Sequence, residues 1–272
     1  MTLLSKAYTQ DEAIALKKKC FKSLTKMLES YIAKPVQASS DDTDYMKKAA
    51  LIAKWLNQYA NYLLFEEKFN PSKNISYKRG DVIFANFGFN IGAELGGEHY
   101  AVVLDKESHH NSSTVTVLPL SSFKPGKNIH PNDLYLGSEL FEKLHLKSKT
   151  LVSSLKEQCE SHQLMLQIII EKANSSGNTN NEETTTSELD SLITDLENKV
   201  QKLTEEVMNA ERLQREIMSL KIGSIAKIKQ ITTISKIRIY NPKKSSDPLY
   251  GIRLSEETMN KINEKMKEHF IF

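Results

Sequence analysis

The sequence predicts an α+β protein in which a small, strand-rich barrel is preceded by helices and interrupted by a long helical hairpin. Two changes in hydrophobic period lead to this prediction. Residues 77–136 contain short β-branched and aromatic runs separated by glycine, asparagine and serine, which is typical of a small barrel. Residues 138–219 instead have a helical period. Isoleucines alternate with polar residues again near 223–240, so strands resume after the hairpin.

The N-terminal part is expected to form two helices. Thr9 and Glu12 have the spacing of a capping box, in which a hydroxyl and a carboxylate satisfy free backbone N–H groups at a helix start. The second predicted helix has an apolar stripe, rich in aromatic residues, that runs from Ala49 to Leu63. Stripes of this kind more often pack against other helices than stack on nucleic-acid bases, so we assign these helices a packing role.

The helical interruption carries the pattern of a coiled coil, with apolar residues in alternating steps of four and three that are broken only at Gln214. These residues are Leu189, Ile193, Leu196, Val200, Leu203, Val207, Ala210 and Ile217. The preceding segment has a weaker apolar pattern, and the polar linker at 174–186 is expected to turn the chain. The sequence thus predicts an antiparallel coiled-coil insertion, a scaffold or dimerisation device without chemistry of its own.

Four segments follow from these patterns. Residues 1–72 form an N-terminal helical extension and 75–137 the first part of the barrel. Residues 138–219 form the inserted hairpin, and 220–272 complete the barrel with a C-terminal helix. Ser255 is well placed to cap that last helix.

Composition narrows the functional classes. No apolar run has the length needed to span a membrane, and the N-terminus lacks a secretory signal, so we expect a cytoplasmic protein without a membrane partner. Cys20 and Cys159 have no metal-ligand spacing, and we expect neither a metal nor a cofactor. The net charge is only +3, but Lys221–Lys244 holds seven basic residues and no acid. Such a segment is either a phosphate-binding surface or a solvated strand face.

Two blocks of sequence resemble the PemK/MazF family of toxins. Arg79-Gly80-Asp81-Val82 is similar to the start of that family's first strand, and Gly92–Val103 to its G-x-E-x-G-G loop with the strand that follows. Thr114–Ser122 resembles the next strand, which in the family ends in threonine or serine. Gly223–Arg238 resembles the late Q-I-R-T element, with Gln230, Ile231 and Thr233 matching.

This resemblance implies an SH3-like barrel, often a homodimer, that cleaves single-stranded RNA without a metal and is neutralised by an antitoxin protein. The 2′-hydroxyl would attack the adjacent phosphate and leave a cyclic phosphate and a 5′-hydroxyl. The site residues implied are the catalytic pair His99 and Ser121 and a set of RNA-binding residues. That set consists of Glu94, Gly96, Gly97, Lys227, Lys229, Gln230, Thr233 and Arg238.

The sequence departs from the family at the loop arginine, which is replaced by His99, and at the proline after it, which is replaced by Tyr100. The arginine of the late element is replaced by Thr232. Histidine titrates near neutral pH but lacks the planar fork with which arginine clamps phosphate. His99 is therefore either the general acid or base of a ribonuclease, or a packed histidine in a barrel that does not cut. The second interpretation makes the protein a non-catalytic binder of RNA or DNA gyrase, or an interaction module.

Overall fold

The computed structural model describes residues 7–34, 44–108, 111–126, 128–175 and 183–270, and its mixture of helices and antiparallel strands confirms the α+β class. The helices are α1 (Gln10–Ile32), α2 (Tyr45–Glu66), α3 (Glu139–Ser175), α4 (Glu183–Met218) and α5 (Glu256–Phe270). The strands are β1 (Tyr77–Lys78), β2 (Val82–Asn86), β3 (Glu98–Val103), β4 (Glu107–Ser108), β5 (Thr114–Ser122), β6 (Leu134–Gly137), β7 (Ser224–Ala226), β8 (Thr232–Ser235) and β9 (Ile239–Asn241).

The chain falls into two compact units. The first comprises the residues up to Phe69 together with Phe87–Gly97, and the second comprises Asn70–Asn86 and the residues from Glu98 onward. In the first unit α1 and α2 pack together. The predicted capping box is confirmed, because the Glu12 amide donates to the Thr9 hydroxyl at 3.3 Å and the Thr9 amide donates to the Glu12 carboxylate at 3.0 Å.

The second unit contains an antiparallel sheet with the strand order β6-β7-β5-β3-β2-β9, in which β8 also pairs with β5. Among the described strands, β6 and β9 do not pair with each other, so this path of hydrogen bonds is open. The 223–240 segment forms three short strands instead of one continuous pair. Two 3₁₀ turns, Ile228–Gln230 and Lys236–Arg238, interrupt its alternation.

The Arg79-Gly80-Asp81 motif builds a turn that connects β1 to the rest of the second unit. Gly80 has φ +86°, a conformation that favours glycine, and a Cβ there would lie 3.0 Å from the Arg253 side chain. Asp81 accepts a hydrogen bond from the Lys78 amide at 2.7 Å and forms an ion pair with Arg253 at 2.7 Å. Arg79 donates to the Leu104 carbonyl and to the Asn263 side chain on α5. This motif is therefore structural.

Helices α3 and α4 pack against each other as an antiparallel hairpin. Lys156 on α3 forms an ion pair with Glu211 on α4 at 2.7 Å, and the Cys159 sulfur lies 3.6 Å from the Thr204 hydroxyl. Of the predicted seam, Leu203, Ala210 and Ile217, spaced seven apart, are buried. Coiled-coil packing itself stays a prediction. The Leu189 side chain and most of the predicted linker lie outside the described residues.

The root of the hairpin, defined as residues 139–148 and 213–220, belongs to the core of the second unit. Leu140, Leu144 and Ile217 are 6%, 3% and 4% exposed and cluster with buried residues of the sheet and of α5. Those neighbours include Val82, Val102, Leu118, Leu120, Ala226, Ile228, Leu254, Met259 and Ile262. The insertion therefore forms part of the core at its base.

A polar clamp joins the start of α3 to the start of α5. The Glu139 carboxylate accepts hydrogen bonds from the Ser255 amide at 2.6 Å and from the Thr258 hydroxyl at 2.5 Å, and it pairs with Lys143 at 2.6 Å. Ser255 caps α5, as its spacing predicted, because its hydroxyl accepts from the Thr258 amide at 3.2 Å. Burial by itself would raise the pKa of Glu139, but the hydrogen bonds from Lys143, Thr258 and Ser255 hold the pKa below its ordinary value.

Candidate functional site

The central feature of the candidate site is His99, near the start of β3. Strand β3 pairs with β5 from Ala101 opposite Pro119 onward, so His99 lies beside the end of β5. Its Nδ1 is 3.1 Å from the Leu120 carbonyl oxygen. A carbonyl can only accept a hydrogen bond, so Nδ1 carries the proton. In the neutral ring this tautomer places the lone pair on Nε2, the nitrogen that can take up a proton.

His99 and Ser121 line the same cavity, which has a volume of about 300 Å³. The two residues that the sequence assigned to catalysis, on different strands, are thus brought together. Ser121 is half-buried and sits opposite Ile225 of β7. Its hydroxyl can donate a hydrogen bond to an anionic oxygen in the cavity.

Sequence reasoning missed several polar residues of this cavity. Lys221, which follows α4, lines it together with Glu98, Ser122 and Ser224. Lys221, Glu98 and Ser122 are exposed, whereas Ser224 is buried. Lys221 opens the acid-free basic segment, but only the fold shows that this lysine, unlike the others of that segment, lines the cavity with His99. The cavity thus contains a cation, a carboxylate and hydroxyls beside the imidazole.

An aromatic pair forms another side of the cavity. The rings of Phe84 and Tyr100 lie 5.1 Å apart between centroids, and both residues line the cavity. Burial raises the pKa of Tyr100, so its phenol keeps its proton at neutral pH and can donate a hydrogen bond. Tyr100 stands where the family has proline, so this ring is a departure that adds a polar group to the cavity.

The hairpin root also lines the cavity. Leu140, Phe141 and Leu144 of α3 line the cavity, together with Leu220 just after α4. The Phe141 ring also stacks on His145, with centroids 6.1 Å apart and an interplanar angle of 5°. The sequence assigned no site role to the insertion, because its helical period contains no information about which surface the root covers.

The predicted RNA-binding residues of the β2–β3 loop belong to the first unit. A Cβ on Gly96 would lie 2.7 Å from the Gly88 carbonyl oxygen, so this position requires glycine for close backbone approach. Gly97 has φ +87°, and its amide donates to the same oxygen at 2.6 Å. Glu94 is exposed. The two glycines therefore shape the loop, and contact of all three residues with RNA stays a prediction.

The predicted RNA-binding residues of the late segment do not line the cavity. Lys227 forms an ion pair with Asp133 at 2.6 Å, and the Arg238 Nε donates to the Asn86 carbonyl at 2.7 Å. Lys229 is exposed, and Gln230 lies in the first 3₁₀ turn. The Thr233 hydroxyl is 3.2 Å from that of Thr116 across the β5–β8 pair. Two of these cations therefore have intramolecular partners, and binding of RNA here stays a prediction.

The helices and the antiparallel sheet make this an α+β protein. The imidazole, the lysine and the hydroxyls that line its cavity suit an anionic ligand. Residues 78–157 match the family model described as PemK-like, MazF-like toxin of type II toxin-antitoxin system, and this part of the chain belongs to that family. The match includes His99, Ser121 and the first half of α3, and it ends before Lys221 and the late segment.

A search of curated protein sequences returned no significant match to the chain. In the described part of the chain, none of the helices combines the length and the apolar character that crossing a bilayer requires.

Proposed function

We propose that the protein is the toxin of a toxin–antitoxin pair and that it cleaves single-stranded RNA without a metal. The observation that carries this proposal is the shared cavity of His99, Ser121 and Lys221, together with the family match over residues 78–157. A proton acceptor, a hydroxyl donor and a cation are the groups that cleavage of a phosphodiester by its own 2′-hydroxyl requires.

In the proposed reaction, the neutral His99 Nε2 takes the proton of the 2′-hydroxyl as its oxygen forms a bond to phosphorus. The bond from phosphorus to the 5′-oxygen breaks, and that oxygen takes a proton from water, leaving a 2′,3′-cyclic phosphate and a 5′-hydroxyl. The Lys221 ammonium and the Ser121 hydroxyl stabilise the negative charge that builds up on the phosphorane. Lys221 thereby supplies charge that the family places on the arginine replaced by His99.

The proposal includes the partners that the resemblance to the family implies. An antitoxin protein would bind the toxin and block its cavity, and two copies of the toxin would form a homodimer on an SH3-like barrel. The exposed Lys229 and Glu94 remain candidates for contacts with the RNA beyond the cavity. Light scattering of the purified protein tests the dimer. A small acidic protein encoded next to it that co-purifies with it would support the pair.

The activity is tested by incubating the protein with a long unstructured RNA in excess EDTA. We expect the wild type to cleave and His99→Ala to lose at least about 100-fold in rate, since general base catalysis contributes about 10²–10⁴-fold. His162→Ala is the matched control, because His162 is half-buried on α3 and does not line the cavity. Mass spectrometry of the products identifies the cyclic phosphate.

Two results would contradict the proposal. If the wild type leaves the RNA intact, the protein is not a metal-independent ribonuclease of this kind. If His99→Ala cleaves as fast as the wild type, cleavage does not use His99.

A second candidate function is binding without cleavage, to RNA or to DNA gyrase. It is favoured by the replacement of the family's loop arginine by His99 and by the engagement of Lys227 and Arg238 with intramolecular partners. Salt-dependent binding of RNA without products would support an RNA-binding protein. Inhibition of gyrase supercoiling would support a protein that binds DNA gyrase.

A further inference from the structure

We propose that the root of the inserted hairpin selects the nucleotide to be cleaved, with Phe141 stacking on its base. This inference rests on the proposed function and deepens it. The cavity combines two kinds of lining: His99, Ser121 and Lys221 are polar, whereas Phe141, Leu144 and Leu220, from the hairpin root, are apolar. A nucleotide has the same division, because its phosphate is charged and its base has an apolar, stackable face.

The size of the cavity points to a single unpaired nucleotide. About 300 Å³ is at the low end of the volumes of small-molecule sites. A helical duplex cannot enter it, whereas a base splayed out of a single strand can stack on an aromatic ring. Phe141 is the aromatic residue that the insertion contributes to this wall.

The wall is held in place before any ligand binds. Glu139, two residues before Phe141, is fixed by the clamp to Ser255 and Thr258. Leu144, three residues after Phe141, is buried in the core. Little conformational entropy is therefore lost when a base stacks on Phe141, and a preorganised wall discriminates better between bases of different shape.

The test compares two variants of Phe141 in the full chain. Phe141→Ala removes the ring, and Phe141→Leu removes the aromatic face but keeps an apolar side chain against the core. Cleavage of a randomised RNA library, followed by sequencing of the ends, gives the base preference. We expect both variants to lose about tenfold in kcat/KM, as for loss of one base–aromatic stack, and to relax the preference next to the cleaved phosphate. Leu146→Ala is the control, because Leu146 is exposed on the same helix and does not line the cavity.

A binding experiment separates this proposal from the ribonuclease proposal. The probe is a 2′-O-methyl trinucleotide containing 2-aminopurine, which cannot be cleaved by 2′-hydroxyl attack and whose fluorescence falls on stacking. Quenching by the wild type that is lost in Phe141→Leu supports stacking of the base on Phe141, whether or not RNA is cleaved. Absence of quenching by the wild type, or an unchanged preference and quenching in both variants, would overturn it. RNA cleavage by the wild type with no effect of Phe141 would leave the ribonuclease proposal intact.

Discussion

The root and the distal arm of the hairpin belong to the same two helices but have different surroundings. At the root, Leu140, Leu144 and Ile217 are buried among residues of the sheet and of α5. In the distal arm, residues 149–175 and 183–212, Leu164 and Met165 remain 60% and 53% exposed. The root is thus a constituent of the core and of the cavity wall, whereas the buried residues of the arm are covered by the facing helix of the hairpin.

This difference changes how the insertion can be removed. Excising the whole helical interruption would take Leu140, Leu144 and Ile217 out of the core, so loss of activity would report misfolding and not a function of the arm. A cut between Cys159 and Thr204, whose side chains meet across the hairpin, leaves the root in place.

The largest effect is expected at the root. Leu144→Ala should lower the free energy of unfolding by about 3 kcal/mol, because it removes a buried side chain and leaves a cavity. Urea denaturation measures the loss. Leu146→Ala, on the exposed face of the same helix, should change it by less than about 0.5 kcal/mol. Equal effects of the two substitutions would show that the root does not pack on the sheet.

An intermediate effect is expected at the clamp. Glu139→Gln should cost about 2 kcal/mol at pH 7, because a carboxylate that accepts several hydrogen bonds is replaced by a neutral amide. Urea denaturation at several pH values is the measurement, with Glu160→Gln on the exposed arm as the control.

The pH dependence of this effect has a defined sign. The folded protein lowers the pKa of Glu139, so its stabilisation is fully present above the unfolded pKa and is lost as pH falls through the folded pKa. The difference in free energy of unfolding between the wild type and Glu139→Gln should therefore shrink in acid. A difference that stays constant down to pH 2 would mean that the charge of Glu139 does not stabilise the fold.

The smallest effect is expected in the arm. Replacing residues 160–203 by a short glycine-serine loop should leave the rate of RNA cleavage within about twofold, because neither the cavity nor the core loses a contact. A gel-based cleavage assay measures the activity, and a far-UV circular dichroism spectrum checks the folding. A folded variant without activity would assign a functional role to the arm.

Local patterns in the sequence predicted much of the fold. The capping box at Thr9, the cap at Ser255 and the helices of the insertion depend on neighbours within a few residues, so spacing reveals them. The structure of residues 223–240 was harder to predict. Ile228, Ile234 and Ile239 are buried, but two 3₁₀ turns separate them, and an alternating pattern alone does not reveal such turns.

The candidate site was predictable only in part. The resemblance pointed to His99 and Ser121, and both line one cavity. Lys221 and Phe141 were not predicted as site residues, since their approach depends on how the hairpin root packs against β3 and β5. Lys227 and Arg238 were chosen for their charge, but sequence spacing does not reveal that Asp133 and the Asn86 carbonyl are their partners.

Treated as a rigid lever, the hairpin has its fulcrum at its clamped end, Glu139. Helix α3 is continuous over 37 residues from this point, and a helix of that length spans about 55 Å. A swing that moves the far end by about 5 Å is a rotation of about 5°, which displaces Phe141, about 3 Å of helix rise from the fulcrum, by only about 0.3 Å. A movement at the tip of the arm therefore produces a much smaller movement at Phe141, so a partner that pulls on the tip would hardly disturb the cavity.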